Sequence, residues 1–316
     1  MQRLFITGGT GFFGKSILDY RLRHPDFLHD AELTILSRDP DAFVAANPKL
    51  VAQAGVHFVQ GDVRTFPIVS LRFDSIIHAA TAAVTTLSDD EMYSTIVDGT
   101  RHVLDFAKAC GAKRILFTSS GAIYGLQIAA ANEDTPENPT TAYGRGKLAA
   151  ERMCVESGIP TLIARCFAFT GPYLNRRIHF AIGNFIQNCL DGKDIVIKGD
   201  GTPLRSYLYA DDLVEWLFAI LDRGEPGRPY NVGSPHGLSI RELAETVRSA
   251  LGTHNGIIIK EKPSDAPPSV YVPDTTRAMT ELGLRVKTTL NTAIERSAAP
   301  AELSKTAFRL TTANGM

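Results

Sequence analysis

The chain of 316 residues is 44% hydrophobic and 21% charged, with a formal net charge of −1 at pH 7. That length and apolar content suit one large α/β domain with a smaller lobe. Balanced charge without a long basic run excludes a nucleic-acid partner, and the longest apolar stretch, Leu213–Leu221, is interrupted by Glu215 and too short to span a bilayer.

Strand-like residues begin at Met1 and leave no room for a signal peptide, so a cytoplasmic protein is expected. Cys110, Cys154, Cys166 and Cys189 lie far apart and form no Cys/His cluster, which predicts free buried thiols and no metal site.

Arg3–Thr7 is an apolar run that leads directly into Gly8-Gly9-Thr10-Gly11-Phe12-Phe13-Gly14-Lys15-Ser16, and Phe13–Arg23 then has helical spacing. The loop fits three phosphate-binding patterns. Gly9, Gly11 and Gly14 make G-x-G-x-x-G, Gly8, Gly11 and Gly14 make the wider G-x-x-G-x-x-G, and Gly9, Gly14, Lys15 and Ser16 make a triphosphate loop. A triphosphate site also needs a later strand ending in Asp to hold magnesium. Leu33–Leu36 ends in Ser37-Arg38, Ile76-Ile77 in His78, and Ile115–Phe117 in Thr118-Ser119. The dinucleotide reading therefore stands, with Gly8, Gly11 and Gly14 as its glycines and Lys15 and Ser16 as bystanders.

The second run, Leu33–Leu36, decides between cofactors. An acidic residue at its end would bond the ribose hydroxyls of NAD. Ser37 and Arg38 suit the 2′-phosphate of NADP instead, because a guanidinium bonds phosphate through two parallel N–H groups. NADP is favoured and NAD is the alternative. Asp62, after the third run Val56–Val59, is placed to reach the adenine amino group through its side chain or its neighbour's backbone.

Ser75–Ile77 is a fourth strand, Glu91–Cys110 a long helix with Met92, Ile96, Val103, Leu104 and Ala107 on its apolar side, and Arg114–Thr118 a fifth strand. Thr141–Glu156 is a second long helix and Thr161–Ala164 a sixth strand. This alternation predicts a Rossmann-type, doubly wound parallel sheet. The pattern loosens after Gly171-Pro172. His179–Leu190 reads as a helix, Ile195–Ile197 and Tyr207–Leu208 as strands, and Ala210–Leu221 as a helix. Ser239–Leu251 reads as a helix with a capping box from Ser239 and Glu242. A Pro-rich loop, Lys262–Pro273, precedes two short helices. The expected division is a dinucleotide-binding domain at 1–170, with 205–233 packing back on it, a substrate lobe from 171–204 and 234–300, and a poorly ordered tail at 301–316.

Tyr143 and Lys147 stand four apart at a helix start, which puts both on one face. Ser119-Ser120 ends the fifth strand. Hydride exchange at a secondary alcohol requires a proton to move at the same oxygen. A phenol can carry it, an ammonium nearby favours phenolate, and a serine hydroxyl can orient the reacting oxygen. Tyr143, Lys147 and Ser120 take these roles.

At this point the chain resembles the extended short-chain dehydrogenase/reductases, specifically the NAD(P)-dependent epimerase/dehydratase family acting on nucleotide sugars. The resemblance runs from Arg3 to about Leu284. Its carriers are Thr7–Gly14, Gly61-Asp62-Val63, His78-Ala79-Ala80, Val97–Thr100, Thr118–Gly125, Tyr143 with Lys147, Gly171-Pro172, Gly199-Asp200-Gly201, Arg205-Ser206-Tyr207, Asp211-Asp212-Leu213, Tyr230–Gly233, Asp274 and Glu281-Leu282-Gly283. It implies cofactor contacts at Gly8, Gly11, Phe12, Phe13, Gly14, Ser37, Arg38, Asp62, Val63, Ala79, Ala80, Thr81, Ser119, Tyr143, Lys147 and Cys166. It also implies substrate contacts at Asn184, Phe185, Arg205 and Lys262, with Arg205 gripping a sugar-nucleotide diphosphate. His179, one turn before Asn184, is a candidate second acid/base.

The catalytic serine lies four before the strand-end tyrosine in that family, which is Ser120 before Tyr124. Family 4,6-dehydratases follow it with Asp-Glu, where this chain has Gly121-Ala122. A 4-ketoreductase or 4-epimerase of a nucleoside-diphosphate sugar is therefore expected. Ala168 replaces the family's Asn in Arg-x-x-Asn-x-x-Gly-Pro, Ile96 stands where Asn is frequent, and Lys262 begins what is often Arg-x-x-Asp. A homodimer through the 91–110 and 141–156 helices is a further expectation. The alternatives are a non-catalytic NADP sensor and, more remotely, a triphosphate-loop enzyme.

Overall fold

The computed structural model describes residues 2–299 apart from 69–70, 82–86, 178–179 and 263–265. The first half alternates β1 (Arg3–Thr7), α1 (Phe12–Arg23), β2 (Glu32–Ser37), α2 (Pro40–Ala46), α3 (Pro48–Val51), β3 (Val56–Gln60), β4 (Ser75–His78), α4 (Asp89–Cys110), β5 (Arg114–Ser120), α5 (Ala142–Glu156) and β6 (Thr161–Cys166). A single 3-10 turn, Gly121–Tyr124, follows β5. The second half carries β7 (Phe169–Thr170), α6 (Ala181–Leu190), β8 (Ile195–Ile197), β9 (Leu204–Arg205), β10 (Leu208–Tyr209), α7 (Ala210–Arg223) and β11 (Pro229–Val232). It closes with β12 (Leu238–Ser239), α8 (Ile240–Ala250), β13 (Ile257–Ile259), β14 (Val270–Tyr271), α9 (Thr276–Leu282) and α10 (Leu290–Ala298).

Seven strands form one sheet in the order β11-β6-β5-β4-β1-β2-β3, with every pair parallel. A parallel sheet is covered on both faces, which is why its strands read as near-continuous apolar runs. Alternate side chains serve opposite cores. Leu4 and Ile6 join Leu33, Ile35 and the α1 and α7 residues Ile17, Leu18, Trp216 and Ile220 on one face. Phe5 joins Ile76, Ile115, Phe117 and the α4 and α5 residues Val103, Phe106 and Ala150 on the other. A third core, with Ile182, Phe185, Ile195, Leu243 and Ile294, builds the smaller lobe.

The capping box of Ser239 and Glu242 is present, and Ser88 with Glu91 makes a second one that starts α4. The structure departs from the sequence reading at short elements. α2 and α3 each begin with Pro at a first-turn position, and the Asp39 side chain caps α2 by accepting from Ala42 N. The expected loop at Lys262–Pro273 contains β14, a two-residue strand that exists through its parallel pairing with β9. The strand expected at Tyr207–Leu208 lies one residue later, as β10.

Candidate active site at the carboxyl edge of the sheet

The glycine loop joins β1 to α1. Gly8 has a φ of 73°, and a Cβ there would sit 2.5 Å from the Ala79 carbonyl oxygen. A Cβ on Gly14 would strike Gly9 O at 2.1 Å. These two glycines are required by the turn itself. Gly11 differs: it caps α1 in extended conformation, and its Cβ would meet only Gly8 O at 3.3 Å. Its missing side chain keeps the N-terminus of α1 open, where unpaired N–H groups receive an anion. The residues therefore fit a dinucleotide pyrophosphate. Phe12 and Phe13 lay their rings against Phe169. Lys15 lies over the Phe43 ring at 5.8 Å, and Ser16 Oγ donates to Phe12 O at 2.7 Å. Both side chains thus make contacts within the protein.

Ala79, Ala80 and Thr81 follow β4 and are held by a directional relay. Thr100 Oγ1 donates to Ile96 O, so it accepts from His78 Nε2 at 3.0 Å. His78 Nδ1 then accepts from Thr7 Oγ1 at 2.7 Å, and Thr7 Oγ1 accepts from Ala80 N at 3.1 Å. The relay requires a neutral imidazole. Burial, helped by the Lys147 charge, pushes His78 down to about 3. The unfolded chain binds the proton near pH 6.5 and the folded chain does not. Stability is thus complete above pH 6.5 and is lost as pH falls towards 3, by about 1.4 kcal/mol per pH unit. Between pH 7 and 5 this one group costs about 2 kcal/mol, a difference that urea unfolding should find in the wild type and not in His78→Asn.

At the far end of the cradle, Ser37 ends β2 with its Oγ accepting from Asp39 N at 3.2 Å, and Arg38 is exposed. Asp62, before Val63, bonds Arg64 Nε at 2.8 Å and also accepts from Arg64 N. Arg64, with a smaller contribution from Arg38, holds the Asp62 carboxyl below its usual range. The Asp62 side chain is thus engaged by a residue the sequence reading did not single out.

The catalytic candidates converge between β5, β6 and α5. Lys147 is fully buried and its Nζ donates to Thr118 O at 2.8 Å, beneath the rings of Phe117 at 5.0 Å and Tyr143 at 5.8 Å. Burial lowers it to about 8. Tyr143 is half-buried against the α4 core, and burial raises its phenol to about 12 against a lowering hydrogen bond from Ser120. The expected depression of Tyr143 is thus outweighed by burial among the protein's own groups. Cys166 sits beside Ser120 in register on β6, and burial raises its thiol to about 12. Among the described residues, Thr81 Oγ1 and Ser119 Oγ are buried without a hydrogen-bond partner.

Ser120 Oγ accepts from Ala122 N at 3.1 Å and lies 3.4 Å from the hydroxyl of Tyr271 on β14. Tyr271 pairs in register with Arg205 on β9, which brings the smaller lobe to the catalytic edge. Arg205 is partly buried and donates to Leu204 O at 2.7 Å and Ser269 O at 3.1 Å, with no ion pair among the described residues. Among the other expected substrate contacts, Asn184 is half-buried on α6. Phe185 is packed in the core of the lobe, so its ring is a packing group. Lys262 is exposed after β13. His179 lies outside the described residues. Sequence reasoning missed Arg64, Phe167 and Tyr271. Phe167 has its ring 2.7 Å from where a Cβ on Gly121 would stand.

The sequence profile of the NAD dependent epimerase/dehydratase family matches residues 4–233. The chain is 29% identical over 306 residues to UDP-glucuronic acid decarboxylase 5 of Arabidopsis thaliana, spanning 92% of this chain and 86% of that one. It is 30% identical over 295 residues to a dTDP-glucose 4,6-dehydratase of Streptomyces griseus, spanning 89% and 88%. Among solved structures, UDP-glucuronic acid 4-epimerase from Bacillus cereus in complex with UDP-glucuronic acid and NAD shares the fold, with a TM-score of 0.83 over 95% of this chain and 99% of that one at 21% identity. The matched span takes in the glycine loop, Ser120, Tyr143, Lys147 and the sheet as far as β11, and the chain belongs to the NAD dependent epimerase/dehydratase family.

Proposed function

We propose that the chain exchanges a hydride at carbon 4 of a nucleoside-diphosphate sugar, as a 4-ketoreductase or 4-epimerase. The observation that carries this reading is the convergence of Ser120, Tyr143 and Lys147 beside a strand end that continues as Gly121-Ala122. The nicotinamide, when bound, supplies or accepts the hydride. Tyr143 moves the proton at the carbon-4 oxygen, and Ser120 orients that oxygen. Lys147, anchored on Thr118 O, keeps two N–H groups for the cofactor ribose. Burial keeps the Tyr143 phenol protonated at neutral pH, which is the form that donates to a reduced carbonyl.

Water elimination between carbons 5 and 6 needs a further acid and base. Gly121 and Ala122 supply neither, and the Phe167 ring fills the volume that a side chain at 121 would need. The purified chain should be incubated with NAD(P)H and a 4-keto sugar nucleotide, and with NAD(P) and UDP- or dTDP-hexoses. The expected products are 4-hydroxy sugars or 4-epimers. Release of carbon dioxide from UDP-glucuronic acid, or a 4-keto-6-deoxy product from dTDP-glucose, would overturn the reading.

NADP is the favoured cofactor on this reading. Arg38 is exposed at the end of β2, and its charge reaches Asp62, whose carboxylate is bonded by Arg64. Arg38→Ala is expected to weaken NADPH binding by about tenfold, the loss of one charged hydrogen bond of about 1.5 kcal/mol, and to leave NADH unchanged. Fluorescence titration with both cofactors measures the difference, and equal losses for the two would count against NADP.

A further inference from the structure

Tyr271 enters the catalytic centre from the smaller lobe, and its position is set by backbone contacts. Val270 N donates to Gln127 O at 2.7 Å, Ala131 N to Val272 O at 3.1 Å, and Asp274 N to Ala131 O at 2.8 Å. The 270–274 segment is thereby tied to the loop that follows the 3-10 turn after Ser120. The Tyr271 ring packs on Phe167 at 4.9 Å between centroids, and Phe167 in turn covers Gly121. These contacts leave the Tyr271 hydroxyl 3.4 Å from Ser120 Oγ.

A serine hydroxyl has one proton and two acceptor sites. Ala122 N takes the first acceptor site of Ser120. On the carbon-4 reading Ser120 gives its proton to the reacting oxygen of the sugar. What remains on Ser120 is an acceptor site, 3.4 Å from the Tyr271 hydroxyl.

We propose that Tyr271 is a positioning residue for Ser120, donating to its oxygen so that the serine proton is directed at the atoms where Tyr143 and the sugar react. The inference rests on the carbon-4 reading above. Linked hydrogen bonds polarise one another, so a donor behind Ser120 makes Ser120 a stronger donor in turn. Tyr271 stays protonated: burial, Tyr143 and Cys166 raise its phenol, while Ser120 and Arg205 of β9 lower it. Tyr143 faces Ser120 and Cys166, and Lys147 faces Cys166, Cys154 and Glu151.

The test uses the full chain and Tyr271→Phe, which keeps the ring on Phe167. Chromatography of the sugar nucleotides follows NAD(P) with UDP-glucose, UDP-galactose and dTDP-glucose, since an epimerase returns the hydride and leaves no net absorbance, and absorbance at 340 nm follows NAD(P)H with a dTDP-4-keto-6-deoxyhexose, from pH 6 to 10. The expected kcat falls about tenfold while KM stays within about threefold, as for one lost hydrogen bond. In the oxidative direction the rising limb of kcat moves up by about one pH unit. Adding Tyr271→Phe to Ser120→Ala is expected to cost little more, because both act through one hydroxyl. A Tyr271→Phe profile that superimposes on an active wild type overturns the proposal alone, and additive losses overturn the route through Ser120. A wild type silent with every probe overturns the carbon-4 reading and this proposal together.

Discussion

Tyr143→Phe is expected to lower turnover by about 10³-fold while cofactor affinity stays within about threefold. The substitution removes one oxygen. The ring remains packed against the core between α4 and the sheet, so the fold keeps its contacts. On the proposed reading, what is lost is the group at which a proton enters or leaves the reacting oxygen. Lys147 cannot replace it, because its Nζ is held by Thr118 O below the ring. Single-turnover absorbance of the nicotinamide, with fluorescence binding as the control, separates chemistry from affinity. Retention of more than a tenth of the wild-type rate would mean that the proton moves elsewhere and would end the assignment.

Arg165→Met is expected to destabilise the protein by about 3–5 kcal/mol, the cost of leaving a buried charge without its partner. Arg165 and Glu151 have side chains only 5% exposed, with Nη2 2.9 Å from Glu151 Oε2. The same guanidinium bonds Glu137 at 2.7 Å, the Tyr124 hydroxyl at 3.1 Å and Glu133 O at 3.3 Å. Tyr124 passes the network on to Asn231 of β11 at 2.8 Å. One side chain therefore ties β6, α5, the 3-10 turn and the edge strand, and Glu151 stands one turn beyond Lys147. Losing that much from a typical 5–15 kcal/mol should shift the urea midpoint strongly. Removing the exposed Lys193–Asp191 pair, by contrast, should leave the urea midpoint nearly unchanged. Arg165→Met with Glu151→Leu should recover part of the loss, because the stranded carboxylate is then gone. No recovery would mean that the packing of the Arg165 stem, and not its charge, matters.

Much of the site was legible because its signals are local. The glycine loop needs only a strand before it and a helix after it, and Tyr143 with Lys147 needs only one helical turn. Both lie where the spacing put them. The same local view offered the false triphosphate match, and only the packing of Lys15 on Phe43 and of Ser16 on Phe12 O shows what those residues do. Phe185 was read as a substrate contact from its motif, yet its ring belongs to the lobe core, a fact that depends on residues from α8 and α10. Tyr271 gave no local signal at all. A two-residue strand has no periodicity, and its pairing partner lies 66 positions earlier in the chain (Tyr271 with Arg205).

By itself, the sequence determined the doubly wound architecture and marked the glycine loop, Ser120, Tyr143 and Lys147 as candidates, because hydrophobic period and short-range spacing are written along the chain. Only the tertiary structure decided how the Tyr143 and Lys147 proton affinities are shifted, that Arg64 engages Asp62, that Phe167 closes position 121, and that Tyr271 stands behind Ser120. Burial and long-range pairing set those features, and both depend on which distant segments the fold brings together.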